Sequence, residues 1–154
     1  MTLIMTRSVL VALLIALAFM GVADSWYLAE HAATDTDLFC DIGAGLDGCN
    51  IVAQSPYSQF YGIPLAYFGV AFYAILFLAA ALLTVFPYRL YYRGVVALTG
   101  IGAAASVVFV GIQLLLIKAV CIYCFVSAGI AFLSFLLAIL LLKRFAPNLP
   151  AVVP

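Results

Sequence analysis

The sequence has 154 residues, of which 69% are hydrophobic and only 8% are charged. Soluble domains are about half apolar and about a quarter charged, so this chain cannot keep its whole surface in water, and lipid must be part of its solvent. The length fits a single domain, and a formal net charge of zero gives no indication of nucleic-acid binding.

Four apolar stretches predict the fold. A helix that crosses a bilayer needs about 20 mainly apolar residues. Stretches of that kind lie at about residues 8–29, 62–86, 94–117 and 119–142. They predict an all-α membrane protein, a four-helix transmembrane bundle that forms one domain over residues 1–145. Between spans one and two we expect an external loop with a short helix, at about residues 30–61, and after the bundle a disordered tail, residues 146–154.

Charged residues predict the direction of the spans, because Lys and Arg accumulate in short cytoplasmic loops. Five of the six bases precede span one, link spans two and three, or follow span four: Arg7, Arg89, Arg93, Lys143 and Arg144. With four spans these places share one side. This predicts cytoplasmic N- and C-termini and a multi-pass protein of the cytoplasmic (inner) membrane. The loop at about residues 30–61, which is rich in Asp and Glu, and the turn at Lys118 are then external.

The first span has a second interpretation. Arg7, the apolar run after it and the small residues 21–23 also resemble a secretory signal peptide with its cleavage site. The apolar character continues past Ala23 to Leu28, so we expect the span to be retained. Cleavage would leave the orientation of the other spans unchanged.

Four cysteines are the candidate catalytic residues: Cys40, Cys49, Cys121 and Cys124. The predicted topology puts all of them on the external side, where disulfides can form. Cys121 and Cys124 form a C-x-x-C motif at the start of span four, where positions i and i+3 share one helix face. The positive end of the helix dipole favours a thiolate there, and the thiolate is the nucleophile of disulfide exchange.

The other pair flanks eight residues that include three glycines, which predicts a mobile loop. Such a loop could exchange with a soluble protein and then with the C-x-x-C pair. Structural disulfides are the alternative for both pairs. A zinc site is disfavoured because Cys40 and Cys49 are too widely spaced for zinc motifs, so we expect no metal. The sequence leaves open which two cysteines are bonded in a given state.

The order of these features resembles the vitamin K epoxide reductase family, most closely its bacterial members. The similarity rests on the loop cysteine pair, the segment Cys-Asn-Ile-Val-Ala-Gln-Ser-Pro-Tyr-Ser at 49–58, Gly-Ile-Pro at 62–64 and the C-x-x-C that opens span four. It covers about residues 8–142. It implies an enzyme that oxidises an external thioredoxin-fold dithiol protein and reduces a quinone of the ubiquinone or menaquinone (vitamin K) type, supporting disulfide-bond formation.

The resemblance also implies roles for single residues. Cys40 would exchange with the partner protein, Cys49 would pass electrons to Cys121, and Cys124 would face the quinone. Animal members that reduce the epoxide use an asparagine in span two and a tyrosine four residues after the motif. This chain has no asparagine in span two and has Ala128 at the second position, so we expect quinone reduction instead.

Two further comparisons refine the expectation. Some bacterial relatives carry a fused thioredoxin-like domain. None is present in this sequence, so the partner is expected to be a separate protein. DsbB-type proteins also have four spans and two cysteine pairs, but there the C-x-x-C opens span two, which argues against that type. A membrane scaffold with structural disulfides is the alternative function.

Four residues are candidates for contact with the quinone: Ser55, Phe60, Tyr67 and Gln113. Ser55 precedes a proline and also fits the N-cap of a short external helix that Gly62 would end. Gln113 is a polar residue near the external end of span three, where it could instead bond a neighbouring helix. Phe60 and Tyr67 belong to an aromatic group that could equally anchor the chain at the membrane interface.

Overall fold

The computed structural model of the protein describes residues 2–40 and 48–150, and residues 2–6 only as backbone. Four long helices form most of it: α1 (Thr2–Thr34), α3 (Leu65–Val85), α4 (Arg89–Ile112) and α5 (Ile122–Phe145). The connection from α1 to α3 contains the short helix α2 (Gly48–Ala53), a 3₁₀ turn (Pro56–Ser58) and the strands β1 (Gln59–Phe60) and β2 (Ile63–Pro64). A π-helical turn (Gln113–Ile117) ends α4, and a 3₁₀ turn (Ala146–Asn148) follows α5.

Among the residues that the structure describes, four helical segments are long and apolar enough to cross a membrane: Arg7–Thr34, Leu65–Val85, Arg89–Ile117 and Ile122–Asn148. This confirms the predicted all-α architecture with four spans. The side chains that face outward are large and apolar, as for Phe19 (63% exposed), Ile101 (69%) and Leu115 (75%). So much apolar surface is unfavourable in water and suits hydrocarbon.

The helices form a ring in which α1 packs along α3 and α5, and α4 packs along α5 and α3. The largest fully buried side chains in its centre include Leu14, Leu76, Tyr92 and Leu141. Small residues permit the close contacts. A Cβ at Gly102 of α4 would overlap the Phe72 ring of α3, which is the kind of approach that small residues allow between membrane helices.

One end of the bundle is held together by Arg7. Its Nε donates a hydrogen bond to the Tyr92 hydroxyl (2.8 Å), and its Nη2 donates to the Leu83 carbonyl (2.7 Å). These contacts join the first turns of α1 and α4 to the last turn of α3. The packing therefore agrees with the prediction that the bases before span one and those between spans two and three lie at the same end of the bundle. The cysteines lie at the opposite end.

The segment after α5 differs from the expected disordered tail. Ala146 is fully buried, and Leu149 packs against the core of the bundle. The carbonyl oxygen of Pro150 accepts a hydrogen bond from the backbone N–H of Arg89 (3.0 Å). Residues 146–150 are therefore ordered, because their apolar side chains close this end of the bundle. Residues 151–154 lie outside the described part of the chain.

The connection between spans one and two also differs in detail from the prediction. The short helix is α2, which precedes Ser55 instead of starting there. After the 3₁₀ turn, β1 and β2 pair in antiparallel fashion around Tyr61 and Gly62. Both residues have positive φ, 51° and 80°, the combination that a two-residue hairpin loop of type I′ requires. Gly62 thus turns a hairpin instead of ending a helix, and Pro64 leads directly into α3.

Candidate active site

The C-x-x-C motif is positioned by the turn between α4 and α5. At the end of the π-helical turn, Lys118 adopts a left-handed conformation (φ 57°) and reverses the chain. Gln113 stabilises this turn with two hydrogen bonds. Its carbonyl oxygen accepts the N–H of Ala119 (3.3 Å), and its side-chain Oε1 accepts the N–H of Cys121 (3.1 Å). Gln113 is only 3% exposed, so it fixes the backbone of the first motif cysteine from within the protein.

Cys121 and Cys124, the C-x-x-C pair, are both thiols, and they are not equivalent. Cys121 is the N-cap of α5, and its sulfur accepts the N–H of Cys124 (3.3 Å). The Cys124 side chain also favours the Cys121 thiolate, as the donor of a side-chain hydrogen bond. Together these hydrogen bonds lower the pKa of Cys121, against the opposing effects of burial and of the Asp24 charge. Cys121 is therefore the better nucleophile of the pair, although it is only 1% exposed, and Cys124 is half-buried.

Cys40 and Cys49, the loop pair, form a disulfide with a Cα–Cα distance of 6.0 Å. Cys49 lies in the first turn of α2 and is completely buried, whereas Cys40 is 9% exposed. Cys40 is therefore the more exposed of the two bonded cysteines. Residues 41–47, for which the sequence predicts a mobile loop, lie outside the described part of the chain.

The segment that carries Cys40 is held on three sides. The Asn50 side chain accepts the N–H of Leu38 (2.8 Å) and donates to the Leu38 carbonyl (3.4 Å), as a neighbouring strand would. The Tyr123 hydroxyl donates to the Phe39 carbonyl (2.8 Å). The Tyr27 hydroxyl accepts the N–H of Phe39 (3.4 Å), and the Tyr27 ring lies 5.1 Å from that of Tyr123.

Sequence reasoning missed the roles of Asn50, Tyr123 and Tyr27. The available signal was position. Asn50 follows Cys49 and Tyr123 precedes Cys124 in the chain, and from these positions both side chains reach the backbone just before Cys40.

The loop pair and the C-x-x-C pair meet in one buried cluster. It consists of Leu38, Cys40, Cys49, Val52 and Cys121, with Cys124 packed against it. The approach depends on Gly48, where a Cβ would overlap the Val120 carbonyl oxygen and lie 3.3 Å from the Val120 nitrogen. The backbone before Cys49 therefore rests directly on the backbone before Cys121.

A half-buried acid, Asp24 of α1, lies near this cluster and was not among the predicted site residues. Its Oδ2 is shielded from solvent and has no hydrogen-bond partner among the described residues. Its charge reaches both Cys121 and Cys124. A carboxyl oxygen left without a partner is costly to bury, which makes Asp24 a candidate for a functional role.

The predicted quinone-binding residues fall in different environments. Gln113 is buried and bonded to the C-x-x-C backbone. Ser55 is half-buried, and its hydroxyl donates back to the Val52 carbonyl (2.7 Å) instead of capping the following turn. Phe60 is 58% exposed and stacks edge-on against Tyr61 in the hairpin, and Tyr67 is 43% exposed on α3. Phe60 and Tyr67 are not part of the cysteine cluster.

Comparison with known proteins decides the family. The model described as "Vitamin K epoxide reductase family" matches residues 12–139, which is most of the chain. The chain belongs to the vitamin K epoxide reductase family. Membership confirms the resemblance drawn from the order of the cysteine pairs. It also agrees with the helical fold.

One curated protein that is similar in sequence to this vitamin K epoxide reductase family member is "Thiol-disulfide oxidoreductase LTO1" of Arabidopsis thaliana. The two sequences are 34% identical over 123 residues, which cover 75% of this chain and 32% of the relative. The chain thus spans about a third of the relative's length. The roles of the individual cysteines and of Ser55, Gln113, Phe60 and Tyr67 stay predictions.

Proposed function

We propose that the protein is a membrane thiol–disulfide oxidoreductase that oxidises an external thioredoxin-fold dithiol protein and passes the electrons to a quinone. The observation that supports this most strongly is the single cluster in which the Cys40–Cys49 disulfide packs against Cys121. A disulfide and a thiol in contact are the two reactants of an exchange reaction. The curated relative, which its name describes as a thiol–disulfide oxidoreductase, supports the same reaction class.

The different exposure of the cysteines supports a direction for the electrons. A soluble partner would attack Cys40, because Cys49 and Cys121 are almost fully buried. After the partner's second thiol has released Cys40, Cys49 would attack Cys121 of a Cys121–Cys124 disulfide, and Cys124 would leave as a thiolate that takes up a proton. Cys40 would then attack Cys49 of the Cys49–Cys121 disulfide, which restores the Cys40–Cys49 bond and releases Cys121 as a thiolate. The described arrangement, with the loop pair oxidised and the C-x-x-C pair reduced, corresponds to the product of that transfer.

The position of Cys124 supports an acceptor that dissolves in lipid. Cys124 is the more exposed thiol of the C-x-x-C pair, and it lies in the first turn of a span. A quinone that diffuses in the bilayer could approach it there, and the bound quinone would accept the electron pair. In this proposal the cysteine cluster faces the external side of the cytoplasmic membrane, as the distribution of Lys and Arg predicts.

The function can be tested with protein purified in detergent, a reduced thioredoxin-fold dithiol protein and a short-chain quinone. We expect quinone absorbance to fall only when both protein and dithiol are present, and we expect Cys124→Ala to abolish the change. Cys40→Ala separates the steps. It should lose turnover with the protein dithiol while a small dithiol, which can reach the C-x-x-C pair directly, still supports quinone reduction.

The alternative is a membrane scaffold stapled by a structural Cys40–Cys49 disulfide. Under that hypothesis neither pair would change its redox state in the presence of the dithiol protein and quinone. Cys121→Ser would then alter folding and no electron transfer. Alkylation of free thiols followed by mass measurement distinguishes the two cases, because the scaffold would keep one disulfide throughout.

A further inference from the structure

Asp24 lies at the level of Cys124 inside the bundle. One turn further along α1, Tyr27 stacks on Tyr123 of α5. One turn earlier, Gly21 packs on the ring of Tyr73, whose hydroxyl donates to the Ser127 carbonyl (2.7 Å). Because residues three apart share a helix face, Asp24 lies between these two contacts on α1, as Cys124 lies between Tyr123 and Ser127 on α5.

The surroundings of Asp24 contain several groups that can titrate and no cation bonded to it among the described residues. Tyr73 approaches from α3, and Cys121, Tyr123 and Cys124 approach from α5 and its N-cap; the Asp24 charge acts on all four. The turn after α4 contributes Gln113, which is neutral and already bonded to Cys121. The buried Oδ2 is therefore not matched by an ion pair or a hydrogen bond from the described residues.

Oxidation of the C-x-x-C pair requires a proton acceptor. When a Cys121 thiolate and a Cys124 thiol join in a disulfide, two electrons and one proton leave the pair. The electrons go to the acceptor, which becomes a quinol when it takes up two electrons and two protons. The proton from Cys124 must first reach a base, and Asp24 is the described acid whose charge reaches both sulfurs from inside the bundle.

We propose that Asp24 accepts the proton of Cys124 as the C-x-x-C pair is oxidised and passes it on to the quinone. This role extends the proposed function and rests on it for the identity of the final acceptor. Proton uptake removes the charge of a poorly solvated carboxylate, and proton release to the quinone restores it. The second proton of the quinol comes from water on the external side. The unpartnered oxygen is then the atom that must stay free to bind the proton.

The test compares Asp24→Asn, Asp24→Glu and the control Glu30→Gln. The control makes a matched carboxylate-to-amide change on the exposed part of the same helix. In the dithiol–quinone assay we expect Asp24→Asn to lower turnover by about 100-fold or more, within the usual range for a general acid–base group. Asp24→Glu should retain most of the activity, and Glu30→Gln should equal the wild type.

A second measurement needs no quinone. In the reduced protein, removal of the negative charge favours the thiolates, so Asp24→Asn should move the pH dependence of C-x-x-C alkylation to lower pH. Greater thiol reactivity together with slower turnover is not expected from damage to the fold. The thermal stability of the variant should be no lower than that of the wild type, because the buried Oδ2 that it replaces has no hydrogen-bond partner in the described part of the chain.

Two outcomes would overturn the proposal. One is quinone turnover of Asp24→Asn within threefold of the wild type, and the other is an unchanged alkylation profile. If the wild type itself reduces no quinone, the proposed function fails separately. The alkylation profile then still decides whether the Asp24 charge acts on the thiols of the pair. A shift is compatible with Asp24 as proton acceptor for oxidation by another oxidant, and an unchanged profile refutes that role.

Discussion

Replacement of Gly48 by alanine tests whether backbone contact sets the approach of the two cysteine pairs. Gly48 begins α2, so alanine should suit the local helix better than glycine does. The new Cβ would overlap the Val120 carbonyl oxygen, and backbone on one side must give way by about 1 Å to restore an ordinary van der Waals separation. Overpacking of this kind costs about 1–3 kcal/mol.

The larger expected effect of Gly48→Ala is on the rate of exchange. A displacement of about 1 Å between reacting groups can cost about 100-fold in rate, so transfer from Cys49 to Cys121 should slow by about that factor. The assay starts from fully oxidised protein, adds a limiting amount of dithiol and stops samples with an alkylating reagent. Mass measurement of the fragments then follows the arrival of thiols at Cys121 and Cys124 over time.

A matched control for this experiment is Gly111→Ala in α4, where a Cβ would meet no atom within 4 Å. We expect the control to transfer electrons at the wild-type rate. If Gly48→Ala also does so, with unchanged thermal stability, then contact between residues 48 and 120 does not govern the exchange. A loss of stability without slower transfer would equally refute the reasoning.

Three further predictions follow from single contacts. Gln113→Leu leaves the N–H of Cys121 without its acceptor and should destabilise the protein by about 1–3 kcal/mol in thermal unfolding, whereas Gln113→Glu keeps an oxygen there and should lose less. Asn50→Ala removes two hydrogen bonds to Leu38 and should speed reduction of the Cys40–Cys49 disulfide by a small dithiol about tenfold; an equal rate would mean that Asn50 does not restrain this segment. The pKa of Cys121 is lower in the folded protein than the ordinary thiol pKa of 9.0, so ionisation of Cys121 should stabilise the fold of the protein with a reduced C-x-x-C pair at pH values above 9.0. This stabilisation should be lost as the pH falls through the pKa that Cys121 has in the folded protein. The melting temperature should thus rise with pH in that window relative to Cys121→Ser, and parallel curves for the two proteins would contradict the assigned shift.

The fold was accessible from the sequence because lipid imposes a simple rule on the chain. Backbone groups in hydrocarbon must bond internally, so each apolar stretch of sufficient length becomes a helix. The four spans and their order followed from this, and the ends of the helices did not. Cys121 is the N-cap of α5 because the turn held by the Gln113 side chain delays the start of the helix to Ile122, and hydropathy carries no information on this hydrogen bond.

Local residue patterns failed where a competing conformation used the same residues. Ser55 and Pro56 carry a helix-start pattern, but only the 3₁₀ turn Pro56–Ser58 begins there. A hairpin follows it, since Tyr61 and Gly62 adopt the positive φ values of its two-residue loop. Residues 146–150 were expected to be disordered as part of a tail that contains several prolines. They are ordered because Ala146 is buried at the end of the bundle.

By itself, the sequence determined the membrane class, the four spans, the family and the four cysteines, because apolar length and C-x-x-C spacing are local properties of the chain. Only the tertiary structure decided that Cys40 is bonded to Cys49 and that this disulfide packs against Cys121. It alone also gave Asn50, Tyr123 and Gly48 their roles and showed that the buried Asp24 Oδ2 has no hydrogen-bond partner within residues 2–40 and 48–150. Those features depend on contacts between α1, α2 and α5, which are distant in the chain and meet only when the bundle closes.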